Sequence, residues 1–188
     1  MITIAVGVGE NKNILEACDI FKTQKPNVNI ELIENDKKLA KSISDKNIDA
    51  TIRGSLAASN VLKQLKESYP KISRATYIHG KGHEFIISSV GIDEGNTLKE
   101  KLNIAVHCID FMKKLKKTPK IATLSYARHG DYGRSEEINQ SLDDAKKLTQ
   151  LIEKHTNQKI ENSCVLIDQA IKNKCNILIA PNGIVGNT

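Results

Sequence analysis

Hydrophobic positions recur with two alternating periods through the first part of the chain. The run Ile2-Thr3-Ile4-Ala5-Val6 is short and rich in β-branched residues, as in a strand, and the apolar positions after it have helical spacing. The same pair of patterns returns at 28–33 and at 49–52, each time followed by a helical stretch. Three strand-and-helix repeats predict a largely parallel sheet that is covered by helices on both faces.

The pattern changes after residue 73. Two strand-like runs flank the glycine-rich link His79-Gly80-Lys81-Gly82-His83, which predicts an antiparallel hairpin. A long helix capped by Thr97 follows and ends before Pro119. We therefore expect one unit over 1–188 with lobes at approximately 1–75 and 76–180. The strands of the second lobe are predicted at 74–78, 84–90, 120–124 and 176–180.

Composition narrows the classes of function. The net charge of +6 is spread over lysines in helical patterns, and aromatic residues make up only 4% of the chain, with no Trp. A solvated basic surface or recruitment of anionic small molecules therefore fits better than nucleic-acid binding, which uses aromatic stacking. Since no apolar run is long enough to cross a bilayer and the first residues lack the basic flank of a signal peptide, we expect a cytoplasmic protein without a membrane partner.

Basic and glycine residues follow three of the predicted strands, at the edge where open parallel sheets bind ligands. Glycine permits a close approach to backbone N–H groups, and the guanidinium fork matches phosphate. For Arg53 a capping or solvated role is equally open, and Arg128 and Arg134 could instead pair with Glu136 and Glu137. The candidate anion-binding residues are Arg53, Gly54, Ser55, Ser125, Tyr126, Arg128, His129, Gly130 and Arg134.

Other chemistry has less support. His79 and His83 have no cysteine or carboxylate cluster nearby in the sequence, so no metal site is predicted. Ser125 lacks the GxSxG sequence of a nucleophile elbow. The Gly7-Val8-Gly9 turn lacks the third glycine of the dinucleotide fingerprint, which favours a structural tight turn.

Several segments resemble, in order and spacing, the phosphate acetyltransferase and butyryltransferase superfamily. They are 90–95, 121–126, 176–182 and the turn at Gly186-Asn187. Within that superfamily, five short motifs look most like a methanogen family called methyltransferase subunit X or methanogenesis marker protein 4. These motifs are Gly7-Val8-Gly9-Glu10-Asn11, Ile52-Arg53-Gly54-Ser55-Leu56, Gly80-Lys81-Gly82-His83-Glu84-Phe85, Val90-Gly91-Ile92-Asp93-Glu94-Gly95 and Ser125-Tyr126-Ala127-Arg128-His129-Gly130-Asp131.

The resemblance implies an α/β fold of the type shared by phosphotransacetylases and by isocitrate and isopropylmalate dehydrogenases. In that fold three layers, α/β/α, form two lobes around a cleft, and the protein is often a homodimer. The resemblance places Ser125, Tyr126 and Gly130 on a loop that lines the cleft for acyl phosphate and coenzyme A, and it adds Asn182 to the candidate ligand-binding residues. The segment Ala127-Arg128-His129 is bulkier and more basic than the family's loop, so the substrate need not be acetyl phosphate.

The catalytic serine, arginine and aspartate of the superfamily lie beyond its Gly-Asn turn. The unit is therefore expected to lack its C-terminal segment, and no catalytic residue is assigned. Two functions follow from the resemblance. One is a transferase-like protein that binds a phosphorylated or coenzyme A-like molecule in the interlobe cleft, with acyl or phosphoryl transfer. The other is a non-catalytic accessory subunit that works with methyltransferase subunits in methanogenesis.

Overall fold

The computed structural model describes residues 1–187, and these residues divide into two compact units. The first unit is Met1–Ile72, and the second begins at Ser73 and contains the rest of the described chain. Thr188, which the sequence prediction includes in its unit, lies outside the described residues.

The first unit is built on a parallel sheet with the strand order β2-β1-β3. Its core forms where Ala5 of the central strand meets Leu39 and Val61 from two helices. The three predicted strand-and-helix repeats are all present. The elements are β1 Ile2–Gly7, α1 Asn13–Gln24, β2 Val28–Ile33, α2 Asp36–Ser42, β3 Ala50–Ile52 and α3 Ala58–Ser68.

The second unit contains a five-stranded sheet with the order β4-β5-β8-β6-β7. Strands β5, β8, β6 and β7 run parallel to one another, whereas β4 is antiparallel to β5. The elements are β4 Thr76–Gly80, β5 His83–Ser88, α4 Leu98–Lys114, β6 Ile121–Leu124, α5 Glu136–Thr156, β7 Glu161–Cys164, α6 Ile167–Lys172, β8 Ile177–Ile179 and α7 Gly183–Gly186.

The hairpin turn is tighter than the glycine-rich link suggests. His79 and His83 belong to the strands, and only Lys81 and Gly82 turn the chain, with φ angles of 48° and 80°. Two successive residues with positive φ match the mirror-image turns that suit the twist of a hairpin. Glycine takes the second of these positions without steric cost.

Alternate residues of β8, the central strand of the second sheet, pack against different helices. Ile177 and Ile179 belong to the apolar cluster that includes Ala105 of α4 and Leu148 of α5. Leu178 points the other way, into the cluster with Ala170 of α6. The sheet of the second unit is therefore covered by helices on both faces, which is the layered α/β arrangement that the sequence predicts.

Helix α4 begins at a well-formed cap. The Thr97 hydroxyl accepts a hydrogen bond from the Glu100 backbone N–H at 3.2 Å, and the Glu100 carboxylate accepts one from the Thr97 N–H at 3.3 Å. This reciprocal pair fixes the first turn of α4 beside the carboxyl ends of the strands. Within residues 1–187, none of the helices combines the length and the apolar content that a bilayer crossing needs.

Candidate functional site

Ser125 follows β6 directly and holds the start of the loop that the sequence singles out. It is only 2% exposed. Its backbone N–H donates to the Cys164 carbonyl at 3.0 Å, and its hydroxyl donates to the Ala127 carbonyl at 2.9 Å. The side chain is therefore used within the protein, where it shapes the loop rather than presenting a free hydroxyl at the surface.

Tyr126 and Asn182 meet at the carboxyl edge of the second sheet, where the ends of β6 and β8 lie side by side. The Asn182 side-chain amide donates to the Tyr126 hydroxyl oxygen at 2.6 Å. The Tyr126 backbone N–H donates to the Ser141 hydroxyl of α5 at 2.9 Å. These two bonds fix the ring between a helix and the end of a central strand, so two predicted residues that are far apart in sequence do come together.

Charged groups on neighbouring helices surround this tyrosine. Burial raises the pKa of Tyr126, and the negative charges of Glu137 and Asp144 raise it further. Asp144 also faces Lys101 of α4, with 3.7 Å between the carboxylate oxygen and the ammonium nitrogen. Lys101 is only 7% exposed, and burial lowers its pKa despite the opposing charge of Asp144. The phenol therefore stays protonated at neutral pH and can act as a hydrogen-bond donor.

Arg128, His129 and Gly130 lie in a different direction from Tyr126. They line a groove of about 730 Å³ beside the edge strand β7 and helix α6, called here the β7 groove. Lys120 and Lys159, which precede β6 and β7, also line it. The other residues that line the groove are Ile121, Ile160, Glu161, Asn162, Ser163, Cys164, Leu166, Gln169 and Asn173.

Positive charge dominates the β7 groove. Among the described residues that line it, the one carboxylate is that of Glu161, which accepts hydrogen bonds from Ser163 at 2.7 Å and Asn173 at 2.9 Å. The Cys175 thiol lies 3.5 Å from this carboxylate. Burial alone would raise the pKa of Glu161, but these hydrogen bonds and the charge of Lys120 outweigh it, so the pKa is lowered. Even with Glu161 ionised, the cations of Arg128, Lys120 and Lys159 outnumber the carboxylate.

Arg134 has a different role from Arg128. Its guanidinium pairs with Asp131 at 3.1 Å, and its side chain is 70% exposed. Asp131 also accepts the Arg128 backbone N–H at 3.0 Å. Arg134 therefore braces the loop through Asp131, and the pairing with Glu136 or Glu137 that the sequence left open is not found among the described residues.

The predicted residues of the first unit brace a pair of turns. Gly54 has a φ of 59°, and a Cβ there would collide with the Gly7 carbonyl oxygen. The Ser55 backbone N–H donates to that carbonyl at 3.1 Å, while the Ser55 hydroxyl accepts the Gly9 N–H at 2.8 Å. The Arg53 guanidinium donates to the Leu56 carbonyl. In this structure these residues hold the loops after β1 and β3 together, and an anion-binding role for them stays a prediction.

Three lysines near these sites were missed by sequence reasoning. Lys120 and Lys159 directly precede the strands, at the end of the sheet opposite to the expected site. No sequence pattern around them therefore indicated a ligand-binding role. Lys101 had a detectable signal, because it occupies the same helical stripe as the buried residues Ala105 and Cys108. A lysine on an apolar stripe is a polar group that the fold must bury and satisfy. In the described part of the chain no group of three or more potential metal ligands is found.

No family model matches the chain. A protein of Methanocaldococcus jannaschii, named an uncharacterized methyltransferase, is 32% identical over 195 residues, covering all of this chain and 78% of that protein. A Methanosarcina barkeri protein named provisionally as methyltransferase mtx subunit X is 35% identical over 170 residues, covering 87% of this chain. The chain belongs to the mtx subunit X family. The family resemblance seen in the sequence is thereby confirmed, and the chain spans 62% of the Methanosarcina barkeri protein.

Solved structures confirm the fold class of this mtx subunit X family member. A branched-chain phosphotransacylase from Enterococcus faecalis superposes on the whole chain with a TM-score of 0.74 at 18% identity, and 82% of that protein is covered. A phosphotransacetylase from Staphylococcus aureus gives a TM-score of 0.53 at 16% identity, covering 99% of this chain and 79% of that one. At these identities the likeness establishes the phosphotransacetylase-type fold.

Proposed function

We propose that the protein binds a phosphorylated or coenzyme A-like small molecule through the β7 groove. The observation that carries this proposal is the charge of the groove, in which Arg128 and two lysines outnumber Glu161. A guanidinium offers a planar pair of donors that matches two phosphate oxygens, and lysines add long-range attraction for an anion.

The volume and the lining of the β7 groove suit a ligand larger than phosphate alone. Pockets for small molecules usually have volumes of roughly 300–1,000 Å³, and the β7 groove has about 730 Å³. Ile121, Ile160 and Leu166 contribute apolar surface to its lining. This combination suits a molecule with an anionic group and a less polar arm, as in an acyl phosphate or coenzyme A.

Acyl or phosphoryl transfer is the reaction class that we propose with this binding. Transfer of this kind needs two reactants held in line and donors that stabilise the charge developing on an oxygen. In this proposal, Arg128 holds the anionic portion of the ligand. The likeness to phosphotransacylases supports the reaction class only through the fold, and the catalytic groups remain unassigned.

Ligand protection against heat tests the proposal. Acetyl phosphate, inorganic phosphate and coenzyme A are added separately at millimolar concentration, with sodium chloride of equal ionic strength as the control. A ligand at a hundred times its Kd stabilises a protein by about 2.7 kcal/mol, so at least one of the three should raise the melting temperature by several degrees. Unchanged melting with all three would contradict the proposal.

An accessory role is the second candidate function, and the names of the relatives favour it. The Methanosarcina barkeri and Methanosarcina mazei proteins are both named provisionally as a subunit X of a methyltransferase. If this chain is such a subunit, affinity purification from its native host should recover a methyltransferase polypeptide in fixed proportion, identified by mass spectrometry. Recovery of the protein alone, together with turnover of acetyl phosphate, would contradict the accessory role.

A further inference from the structure

Strand β4 is an outer strand of the second sheet, and its free edge is unprotected. All of its residues, Thr76–Gly80, are exposed. The strand contains no Asp, Glu, Lys, Arg or Pro, whereas proteins commonly use charges, proline or bulges to stop an edge strand from pairing with another chain. The opposite edge does have such devices, because β7 contains Glu161 and its register with β6 is irregular between Thr123 and Leu124. Strand β4 is therefore suited to pair with a further strand.

The geometry of the hairpin decides which backbone groups of β4 face outward. A two-residue turn connects β4 to β5, so its closing pair, Gly80 and His83, is a hydrogen-bonded pair. Hydrogen-bonded and non-hydrogen-bonded pairs alternate along an antiparallel ladder. Ile78 therefore bonds to β5, whereas the N–H and C=O groups of Tyr77 and His79 point away from the sheet.

Aromatic side chains cover the face of β4 that is turned toward α4. Tyr77 lies opposite Ile86, which packs in the apolar cluster beneath α4. The Tyr77 ring stacks on the ring of His79 and meets the ring of Phe111 edge-on, each time with 6.4 Å between the centroids. Tyr77 is 44% exposed and Phe111 is 45% exposed. Aromatic side chains of this kind are enriched at the centres of protein interfaces.

The other face of β4 is apolar as well. Ile78 is 37% exposed and lies opposite Phe85. Phe85 and Ile87 are only partly buried against the cluster that contains Leu178. A helix laid on the sheet would cover one of the two faces, whereas a further strand with its own side chains above and below covers both.

A second copy of β4 fits this edge in a defined register. When two β4 strands run antiparallel about a twofold axis at Ile78, Tyr77 of each copy lies opposite His79 of the other. These are the residues whose backbone groups point outward, so they form the hydrogen-bonded pairs of the new ladder. Ile78 then meets its own copy in a non-hydrogen-bonded pair, in which side chains approach most closely.

We propose that the protein forms a homodimer through β4, with two β4 strands paired antiparallel about a twofold axis at Ile78. The two five-stranded sheets then form one continuous sheet. The family resemblance implies a homodimer but assigns no surface to it, whereas the exposed residues of β4 specify the strand and its register. The proposal does not depend on the ligand of the β7 groove.

Charge complementarity supports a second copy as the partner of this strand. In the proposed register Lys81 of one copy lies opposite Ala75 of the other. Next to Ala75, the Arg74 guanidinium pairs with the carboxylates of Asp93 and Glu94, which leaves one negative charge in excess. The turn of each copy therefore brings a positive charge to a negative cluster, twice in the dimer because of its symmetry.

The basic segment 113–117 does not oppose this arrangement. It lies near the turn end of β4, because Lys117 pairs with Glu84, which is opposite His79. The twofold axis places the turn ends of the two copies at opposite ends of the interface. The two lysine-rich segments are therefore kept apart and do not repel each other at close range.

The size of the surface is sufficient for a small specific interface. Such an interface buries about 1,000 Å² in total and uses roughly fifteen residues of each copy. Residues 74–82 supply most of this number. The flanking side chains are Phe85, Ile87, His107, Phe111 and Leu115.

Single cysteines test the register. The Cα atoms of a non-hydrogen-bonded antiparallel pair are about 4.5 Å apart, which a disulfide can bridge. Ile78→Cys should therefore give a covalent dimer on mild oxidation with copper phenanthroline, seen on a non-reducing gel. Tyr77→Cys alone should not, because the two copies of this position lie diagonally, whereas Tyr77→Cys together with His79→Cys should.

The chain offers a control for chance collisions. Its four native cysteines are buried, so they should contribute little cross-linking. Ile20 is 53% exposed on α1, far in sequence from β4. Ile20→Cys should therefore stay uncross-linked under the conditions that link Ile78→Cys.

Sedimentation equilibrium tests the dimer itself. The unmodified protein should have twice the mass of one chain. Ile78→Lys places two ammonium groups against each other at the axis, and like charges at an interface are strongly unfavourable, so the dissociation constant should rise about a hundredfold or more. Ile20→Lys, the matched control, should keep the dimer mass, and circular dichroism should show that both variants are folded.

Amide hydrogen exchange distinguishes strand pairing from other contacts. The N–H groups of Tyr77 and His79 should be protected in the dimer and should exchange fast in Ile78→Lys. A single-chain mass at the highest soluble concentration would overturn the proposal. So would a dimer that survives Ile78→Lys, fast exchange at both N–H groups in the unmodified dimer, or cross-linking of Tyr77→Cys that equals that of Ile78→Cys.

Discussion

Replacing Arg128 by alanine is expected to weaken the binding of acetyl phosphate by about tenfold to a hundredfold, the range for loss of a charge-assisted hydrogen bond. Arg128 contributes the only guanidinium among the described residues that line the β7 groove. The effect should be seen by calorimetric titration and as a loss of the ligand's protection against heat. Because the side chain is exposed, melting of the unliganded protein should hardly change.

Arg134 supplies the matched control for this prediction. It lies on the same loop and carries the same charge, but it pairs with Asp131 and does not line the β7 groove. Arg134→Ala should therefore change the affinity less than about twofold, since surface charges away from a site contribute little. Equal losses for the two variants would show that the ligand senses the charge of the whole loop instead of the groove.

Among the substitutions proposed here, Gly183→Ala is expected to lower the free energy of unfolding most. A Cβ at this position would fall on the carbonyl oxygen of Gly91, and the Gly183 N–H donates to the Glu94 carbonyl at 3.1 Å. Both neighbours are backbone atoms, so no flexible side chain can move aside. Overpacking of this kind costs typically 1–3 kcal/mol and occasionally more, and a clash with backbone belongs at the upper end. Urea unfolding followed by circular dichroism measures the change.

Gly130→Ala provides the comparison for this stability effect. A Cβ at Gly130 would meet no atom within 4 Å, and its backbone does not have the positive φ of Gly54 or Gly133. The free energy of unfolding should therefore stay within about 0.5 kcal/mol of the original value. If Gly183→Ala unfolded at the same urea concentration as Gly130→Ala, the close packing of α7 on the segment after β5 would be wrong.

Much of the fold follows from local patterns, and its main exception has a physical cause. The repeats of the first unit and the hairpin leave clear periodic signals, so they could be predicted. Strand β7 could not, because its sequence Glu161-Asn162-Ser163-Cys164 has no apolar alternation and no β-branched residue. It is a strand because it pairs with the edge of β6, with an irregular register between Thr123 and Leu124. Tertiary pairing decides such an element, and propensity does not.

The candidate site, like the fold, could be predicted from the sequence only in part. The loop after β6 could be singled out from its residue types, and its Tyr126 does meet a second predicted residue, Asn182, although the two are 56 positions apart. Its division into two directions could not be foreseen. Tyr126 is directed by Asn182, whereas Arg128 faces a groove made by β7 and α6. Both influences come from segments much later in the chain, so the loop itself carries no signal of them.

The strand order of the second unit has a consequence for synthesis on the ribosome. Strand β8 lies between β5 and β6 although it follows both in the chain. The first unit can close its sheet once residues up to Ile72 have emerged, whereas Ile86 and Ile121 must wait for the strand that carries Ile177. Pairing over such distances is intrinsically slow and leaves apolar edges unprotected in the interval. The nascent chain should therefore carry a folded first unit while the strand edges of its second unit are still unpaired.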